Sequence, residues 1–200
     1  DMISLKNRYG GTPYNWAVWH TGLSNNNGSK QLWLNETNDE RSEDMFNNDI
    51  FPSSSTTLFA LGENQHTNKP SSDFIAYCFH DVTGYSKFGS YTGNGSNTGT
   101  VVTLGFKPVF VVIKNTAATS NWYMYDDLRE GTDEKGKPMF SNLNNAEGSF
   151  YERLEFQANG FQLTHTDTDL NDNGVTYIYM AWADKREYAY WLQKSFLRVI

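Results

Sequence analysis

Cysteine, charge and long apolar runs are all scarce in this 200-residue chain, and each shortage excludes a class of protein. Cys78 is the only cysteine, so an intrachain disulfide and a cysteine-based zinc site are both excluded. No apolar run approaches the length of a membrane-spanning helix, so we expect no membrane insertion. Without disulfides, we expect durability to come from a homo-oligomer that buries strand edges or apolar faces.

Charged residues make up only 20% of the chain, and the formal net charge is −7. Nucleic acids and anionic membrane surfaces attract patches of lysine and arginine, which this composition does not supply. The charge balance therefore argues against nucleic acid as a partner.

Aromatic residues are abundant, at 16%, and the regular segments alternate with the period of two that is typical of β-strands. Asn159-Gly160 between two such segments indicates a hairpin. We therefore predict an all-β fold, specifically a β-sandwich of the jelly-roll or lectin-like type. The predicted strands are residues 109–114, 121–126, 154–157, 161–164 and 177–182.

The chain contains an internal repeat, because four segments recur in the same order at a nearly constant separation. We predict two tandem β-sandwich units at residues 1–83 and 84–184, forming either separate sandwiches or one pseudo-symmetric sandwich. The matched pairs are Ile3-Ser4-Leu5-Lys6-Asn7 with Val112-Ile113-Lys114-Asn115, residues 15–20 with 121–126, residues 59–61 with 161–163, and residues 74–81 with 177–184.

The first copy lacks the opening that residues 89–108 give to the second. We expect that the missing part is supplied from elsewhere, or that an edge strand of the first unit is open to a partner.

The end of the chain departs from the strand pattern. Its apolar residues follow the spacing of one helix face, which predicts a helical tail over residues 185–200. Such a helix packs either on its own unit or against a neighbouring subunit, and an oligomer contact would use Tyr188, Trp191, Leu192, Phe196 and Val199.

The segment FIAYCFHDVTGYSKFGSYTGNG, residues 74–95, is distinctive. Together with Gly105-Phe106-Lys107-Pro108, residues 145–148, residues 159–161 and residues 177–179, it resembles an uncharacterised β-rich repeat domain of marine bacteriophage tail-fibre proteins, including those of phages that infect cyanobacteria and pelagic bacteria. The resemblance extends from residue 2 to about Asp184, and the tail from Lys185 onward departs from it.

The resemblance implies a non-enzymatic virion protein with β-sandwich domains, made in the host cytoplasm and carried on the extracellular particle. Its partners would be other virion proteins, further copies of itself, in a trimer if it forms a fibre, and a glycan of the host surface. A head decoration or fibre spacer protein and a polysaccharide depolymerase of the tail are the alternatives.

A calcium site is a competing reading of the loop at residues 169–174, which fits the first half of an EF-hand loop. The closing carboxylate is missing, because Met180 occupies its position, so we expect a hairpin turn and no cofactor. A calcium site of another type would use Asp167, Asp169, Asn171 and Asn173.

Glycoside hydrolysis requires two carboxylates facing each other across a sugar-binding cleft. Both acidic clusters lie in turn-like stretches, so we interpret them as solvated loops and predict no catalytic residues. The clusters are Asp126, Asp127 and Glu130, and Asp39, Glu40, Glu43 and Asp44.

Sugar binding on a β-sandwich uses an exposed aromatic ring beside amide groups that hold hydroxyls. Trp16 and Trp122 are repeat-equivalent, so we expect both of them in the core. Trp33 has no equivalent in the second copy, and we predict a glycan site formed by Trp33 with Asn25, Asn26 and Asn27. Cys78 is predicted to be a small buried apolar residue of its strand.

Overall fold

The computed structural model describes residues 1–8, 14–25, 27–51, 57–127, 129, 137–146 and 153–184. The predicted helical tail and its five apolar residues lie outside these ranges. The strands are β1 (Met2–Asn7), β2 (Trp16–His20), β3 (Leu32–Trp33), β4 (Phe74–Phe79), β5 (Ser86–Thr92), β6 (Val101–Thr103), β7 (Pro108–Asn115), β8 (Trp122–Asp126), β9 (Met139–Phe140), β10 (Leu154–Gln157), β11 (Gly160–Leu163) and β12 (Thr176–Ala183), with one-turn helices α1 (Gln65–Asn68) and α2 (Thr168–Asn171).

The all-β prediction is confirmed, and each predicted strand forms within about one residue of its expected bounds. The hairpin predicted at Asn159-Gly160 is β10 and β11, which pair from Leu154 opposite Leu163 to Gln157 opposite Gly160. Gly160 has a φ of +154°, and a Cβ at this position would lie 1.9 Å from the carbonyl oxygen of Val102. The chain therefore requires glycine where β11 passes β6.

The internal repeat appears as two sheets with the same strand order. The first sheet runs β3-β2-β1-β4 and the second β9-β8-β7-β12-β5, so β5 is the addition in the second sheet. All the strand pairs are antiparallel, and the paired residues correspond: Lys6 lies opposite Trp16 and Asn7 opposite Phe74, just as Lys114 lies opposite Trp122 and Asn115 opposite Tyr177.

The two repeats share an interior, because one face of the first sheet packs against one face of the second sheet. This shared core combines residues of the first repeat with residues of the second and excludes water from both sheets. The two repeats therefore form one joined body rather than separate sandwiches. The buried members are Met2, Val18, Leu23, Leu32, Phe88, Val112, Trp122, Ile178 and Met180.

The outer face of each sheet carries a second core of its own. The core outside the second sheet lies beneath the small sheet β10-β11-β6, and the core outside the first sheet lies beneath loops that include Met45 and Phe46. Equivalent side chains occupy equivalent cores, so the repeat extends from strand pairing to packing. The matched pairs are Ile3 and Val111, Leu5 and Ile113, Trp19 and Tyr125, Phe59 and Phe161, Leu61 and Leu163, and Phe74 and Tyr177.

Two local predictions are wrong. The segment before β12 is not a hairpin turn but the helix α2, because the side chain of Asp167 caps it by accepting a hydrogen bond from the backbone N–H of Asp169. Cys78 is not buried but exposed, because it lies on β4 at the edge of the first sheet. The predicted unit boundary between residues 83 and 84 falls in the turn between β4 and β5.

One polar contact across the shared interior is made by His20, which is completely buried at the end of β2. The backbone N–H of Gly22 donates to Nδ1 at 2.9 Å, so the neutral ring carries its proton on Nε2. That nitrogen lies 3.1 Å from the carbonyl oxygen of Tyr179 on β12 and donates to it. Burial lowers the pKa of His20 to about 3, so the ring stays neutral.

This histidine predicts a loss of stability in acid. The unfolded chain binds a proton at His20 below a pH of about 6.5, whereas the folded chain does so only near 3. Between these values the free energy of unfolding should fall as the pH falls, with up to about 1.4 kcal/mol per pH unit from this residue. Urea titrations from pH 7 to pH 4 should show a shallower dependence in His20→Gln than in the wild type.

The matched control is His80→Gln, because His80 is exposed just after β4. It should keep the wild-type dependence on pH. A wild-type slope in His20→Gln would contradict the assignment.

Candidate functional site

The predicted glycan site is not assembled. Trp33 is only 6% exposed, and its ring centroid lies 4.4 Å from that of His66 on α1. A buried ring cannot serve as a platform for a sugar, so the prediction for Trp33 is wrong. Asn25 and Asn27 are exposed, and their side-chain oxygens accept backbone N–H groups within their own loop, while Asn26 lies outside the described residues.

The residues predicted to bind calcium have other partners. Asp167 forms an ion pair with Arg153 at 2.8 Å, in addition to capping α2. Asp169 accepts hydrogen bonds from the hydroxyls of Tyr123 at 2.6 Å and Ser120 at 2.9 Å. These contacts use the carboxylate oxygens that an ion would need.

The two amides of that prediction are separated by burial. Asn171 is fully buried and donates to the carbonyl oxygens of Ser96 and His165, each at 2.9 Å, whereas Asn173 is exposed. Within the described ranges, no group of three or more histidine, cysteine, aspartate or glutamate side chains could hold a metal ion. The four predicted ligands therefore do not form one site.

The acidic clusters serve loops and ion pairs. Asp126 pairs with Arg129, and Asp127 pairs with Lys107 at 2.9 Å. Glu40 accepts from the backbone N–H of Ser24 at 2.9 Å. Asp44 accepts from the backbone N–H of Glu63 at 3.1 Å, and Glu130 lies outside the described residues.

The most unusual surface is β4, an edge strand whose side chains are apolar and largely exposed. Tyr77 is 45% exposed and Ile75 is 38% exposed, and Ala76 and Cys78 are exposed as well. Natural proteins usually protect such an edge with charged side chains, proline or a covering segment, and β4 contains neither charge nor proline. Among the described residues no strand covers this edge, and an exposed apolar edge is typical of an interaction surface.

The backbone of β4 adds hydrogen-bonding capacity to this edge. The N–H of Arg8 donates to the carbonyl of Asp73 at 2.8 Å, which fixes the alternation of bonds between β1 and β4. Groups on alternate residues of an antiparallel strand point to opposite sides. The N–H and C=O groups of Phe74, Ala76 and Cys78 therefore point away from β1, and among the described residues no strand pairs with them.

Apolar hollows flank β4 on both faces of the sheet. A cleft of about 210 Å³ lies between the two sheets, and a groove of about 230 Å³ lies on the opposite face. The cleft is lined by residues that include Trp16, Tyr77, Phe79, Phe110, Met180 and Trp182, and the groove by residues that include Ile3, Phe51, Leu58, Phe59 and Cys78.

In the described part of the second repeat the equivalent strand is not an edge, because β5 pairs with it. Phe74 corresponds to Tyr177, since each lies opposite the asparagine that ends the neighbouring strand. By the same count, β4 corresponds to β12, which pairs with β7 on one side and with β5 on the other. The site is thus an open edge in one repeat and a filled edge in the other.

Comparison with known proteins places the chain by family. Residues 1–186 match DUF7483, described as a domain of unknown function. The chain belongs to this family. The searches of the curated proteins and of the solved structures found no match to the chain.

Part of the β4 surface was predictable from the sequence and part was not. An open edge strand in the first copy was one of two alternatives that the sequence left, whereas the exposure of the β4 side chains was not predicted. In the described part of the chain, no helix is long and apolar enough to cross a membrane.

The roles of Asp169 and Asn173 give a test against the calcium reading. Asp169→Asn removes the charge that Tyr123 and Ser120 bind, so the free energy of unfolding should fall by about 2 kcal/mol. Asn173→Ala changes an exposed side chain and should alter it by less than about 0.5 kcal/mol. Urea unfolding measures both.

The same measurements should give equal values with calcium and with a chelator. If calcium raised the free energy of unfolding of the wild type and both substitutions abolished that increase, Asp169 and Asn173 would be calcium ligands, and their structural roles described above would be wrong.

Proposed function

We propose that this DUF7483 chain is a non-enzymatic module of a bacteriophage virion, in a tail fibre or tail-associated fibre that contacts the host surface. The observation that carries the proposal is the position of the phage-like segment, residues 74–95. This segment comprises β4, the following turn and β5. It therefore contains both the open edge of the first repeat and the strand that fills the equivalent edge of the second.

Tandem sheet units with an open edge suit a protein that assembles with other chains. Each repeat buries one face against the other, and the outer edge of β4, which pairs with no strand among the described residues, is the kind of edge at which a partner adds a strand. A fibre module requires such continuity between subunits. The partners proposed are other virion proteins and further copies of the chain, with a host glycan as the surface ligand.

The contacts of the acidic residues support a non-enzymatic role. Asp126, Asp127 and Asp169 are held by arginine, lysine and hydroxyl partners, which fix loops and strand ends. A glycosidase instead holds two carboxylates on either side of a cleft. The cleft beside β4 is lined mainly by apolar and aromatic side chains.

The proposal predicts where the chain lies on a particle. Antibodies raised against the purified chain should label fibres at the tail in immunogold electron microscopy of particles from the source culture. Mass spectrometry of the same purified particles should detect its peptides. Antibodies preincubated with the chain are the control and should not label.

Three results would contradict the proposal. Absence from purified particles would exclude a virion protein, and labelling confined to the head would favour a decoration protein. Release of reducing ends from host polysaccharide by the purified chain would favour a depolymerase.

A further inference from the structure

We propose that the outer edge of β4 accepts an added antiparallel strand with the sequence pattern of β5, supplied by another DUF7483 repeat. The inference deepens the assembly role proposed above and rests on it for its biological setting. Its physical basis is the internal repeat and the apolar cleft beside β4, so its test is independent of any phage particle.

The pairing of β5 with β12 supplies the register. Ala181 lies opposite Lys87, and Tyr179 lies opposite Gly89. The N–H of Gly93 donates to the carbonyl of Val175 at 2.9 Å, which makes these two pairs directly hydrogen-bonded. Their equivalents on β4 are Cys78 and Ala76, whose backbone groups point outward in the same way.

The cleft between the sheets supplies a second, independent argument. Phe88 of β5 lies opposite Met180 and is only 4% exposed. Its ring centroid lies 5.5 Å from that of Trp182 and 5.9 Å from that of Phe79. The phenylalanine of β5 thus closes one side of the shared core.

The repeat transfers this arrangement to the open side. Met180 corresponds to Tyr77 and Trp182 to Phe79, and all four side chains line the apolar cleft beside β4. An added strand of the β5 type would direct its aromatic residue at this cleft. Burial of a phenylalanine there would provide the main hydrophobic contribution to docking.

The small residues of β5 indicate which side chains the added strand would carry beside its aromatic residue. Ile178 and Trp182 lie opposite Ser90 and Ser86, so a large ring is flanked by small hydroxyl side chains on the same face. A Cβ on Gly89 would lie 2.7 Å from the hydroxyl of Tyr179. Ala76 stands in place of that tyrosine on β4, so the occupant is expected to tolerate a side chain at the glycine position.

Disulfide trapping tests the register directly. The probe is a peptide with the sequence of residues 84–95 in which Lys87→Cys is activated as a mixed disulfide with thionitrobenzoate. The thiolate of Cys78, the only cysteine in the 200 residues, attacks the peptide sulfur and releases thionitrobenzoate. Directly paired Cα atoms lie about 5.5 Å apart, a separation that a disulfide spans.

The matched probe carries Gly89→Cys instead, on the same face but two residues along. The first peptide should react with Cys78 at least about tenfold faster than the second, as measured by thionitrobenzoate absorbance. Equal rates for the two peptides would overturn the proposed register.

A backbone variant tests the docking without the thiol reaction. Ala76→Pro removes an outward N–H and leaves the bonds to β1, whereas Ala76→Thr keeps the N–H. Binding of a fluorescent peptide of residues 84–95 should weaken by about tenfold in the proline variant and by less than about twofold in the threonine variant. A peptide with Phe88→Ser should bind weakly to both.

Thermal unfolding of both variants identifies loss of the fold. If Ala76→Pro unfolds early, the trapping rates on the wild-type chain decide alone. Equal peptide binding by two folded variants would contradict strand addition at β4. A dimer of the chain alone that forms a Cys78–Cys78 disulfide and that Ala76→Pro dissociates would show that β4 pairs with a second β4, and would also overturn the proposal.

Discussion

The shared interior between the two sheets is the constraint on which the rest of the structure depends. Each repeat contributes one apolar face, and neither face could remain in water without a large loss of hydrophobic stabilisation. Polar links fix the alignment of the faces: Trp122 Nε1 donates to the carbonyl of Trp33 at 2.8 Å, and His20 donates to Tyr179. A misaligned pair of sheets would leave these buried donors unsatisfied, at a cost of about 1–3 kcal/mol each.

The differences between the two repeats lie outside this interior. Because both sheets use equivalent faces for the shared core, their differences appear at the edges and on the outer faces. The second sheet gains β5 at its edge and the small sheet β10-β11-β6 outside, whereas β4 remains an edge. One strand pattern therefore has two environments, a buried one in β12 and an exposed one in β4.

Several polar groups of the second repeat look like candidate catalytic or metal-binding residues, but their contacts stabilise the fold. Lys114 is fully buried and donates to the carbonyl of Asn115 at 2.6 Å. Burial lowers its pKa to about 8, and the charges of Asp39 and Asp169 offset part of that shift. Asp169 also accepts hydrogen bonds from Ser120 and Tyr123, so it connects α2 to the sheet. Lys114 and Asp169 thus hold strand ends and the helix α2 in place.

The sequence by itself determined the strands, the hairpin and the repeat, because alternation and turn residues act over a few neighbours. Burial could not be predicted in this way: Trp33 is covered by His66, 33 positions further along, and Cys78 is exposed although its equivalent Ala181 is buried. Those outcomes depend on which distant segment covers a strand, and only the tertiary structure decides that.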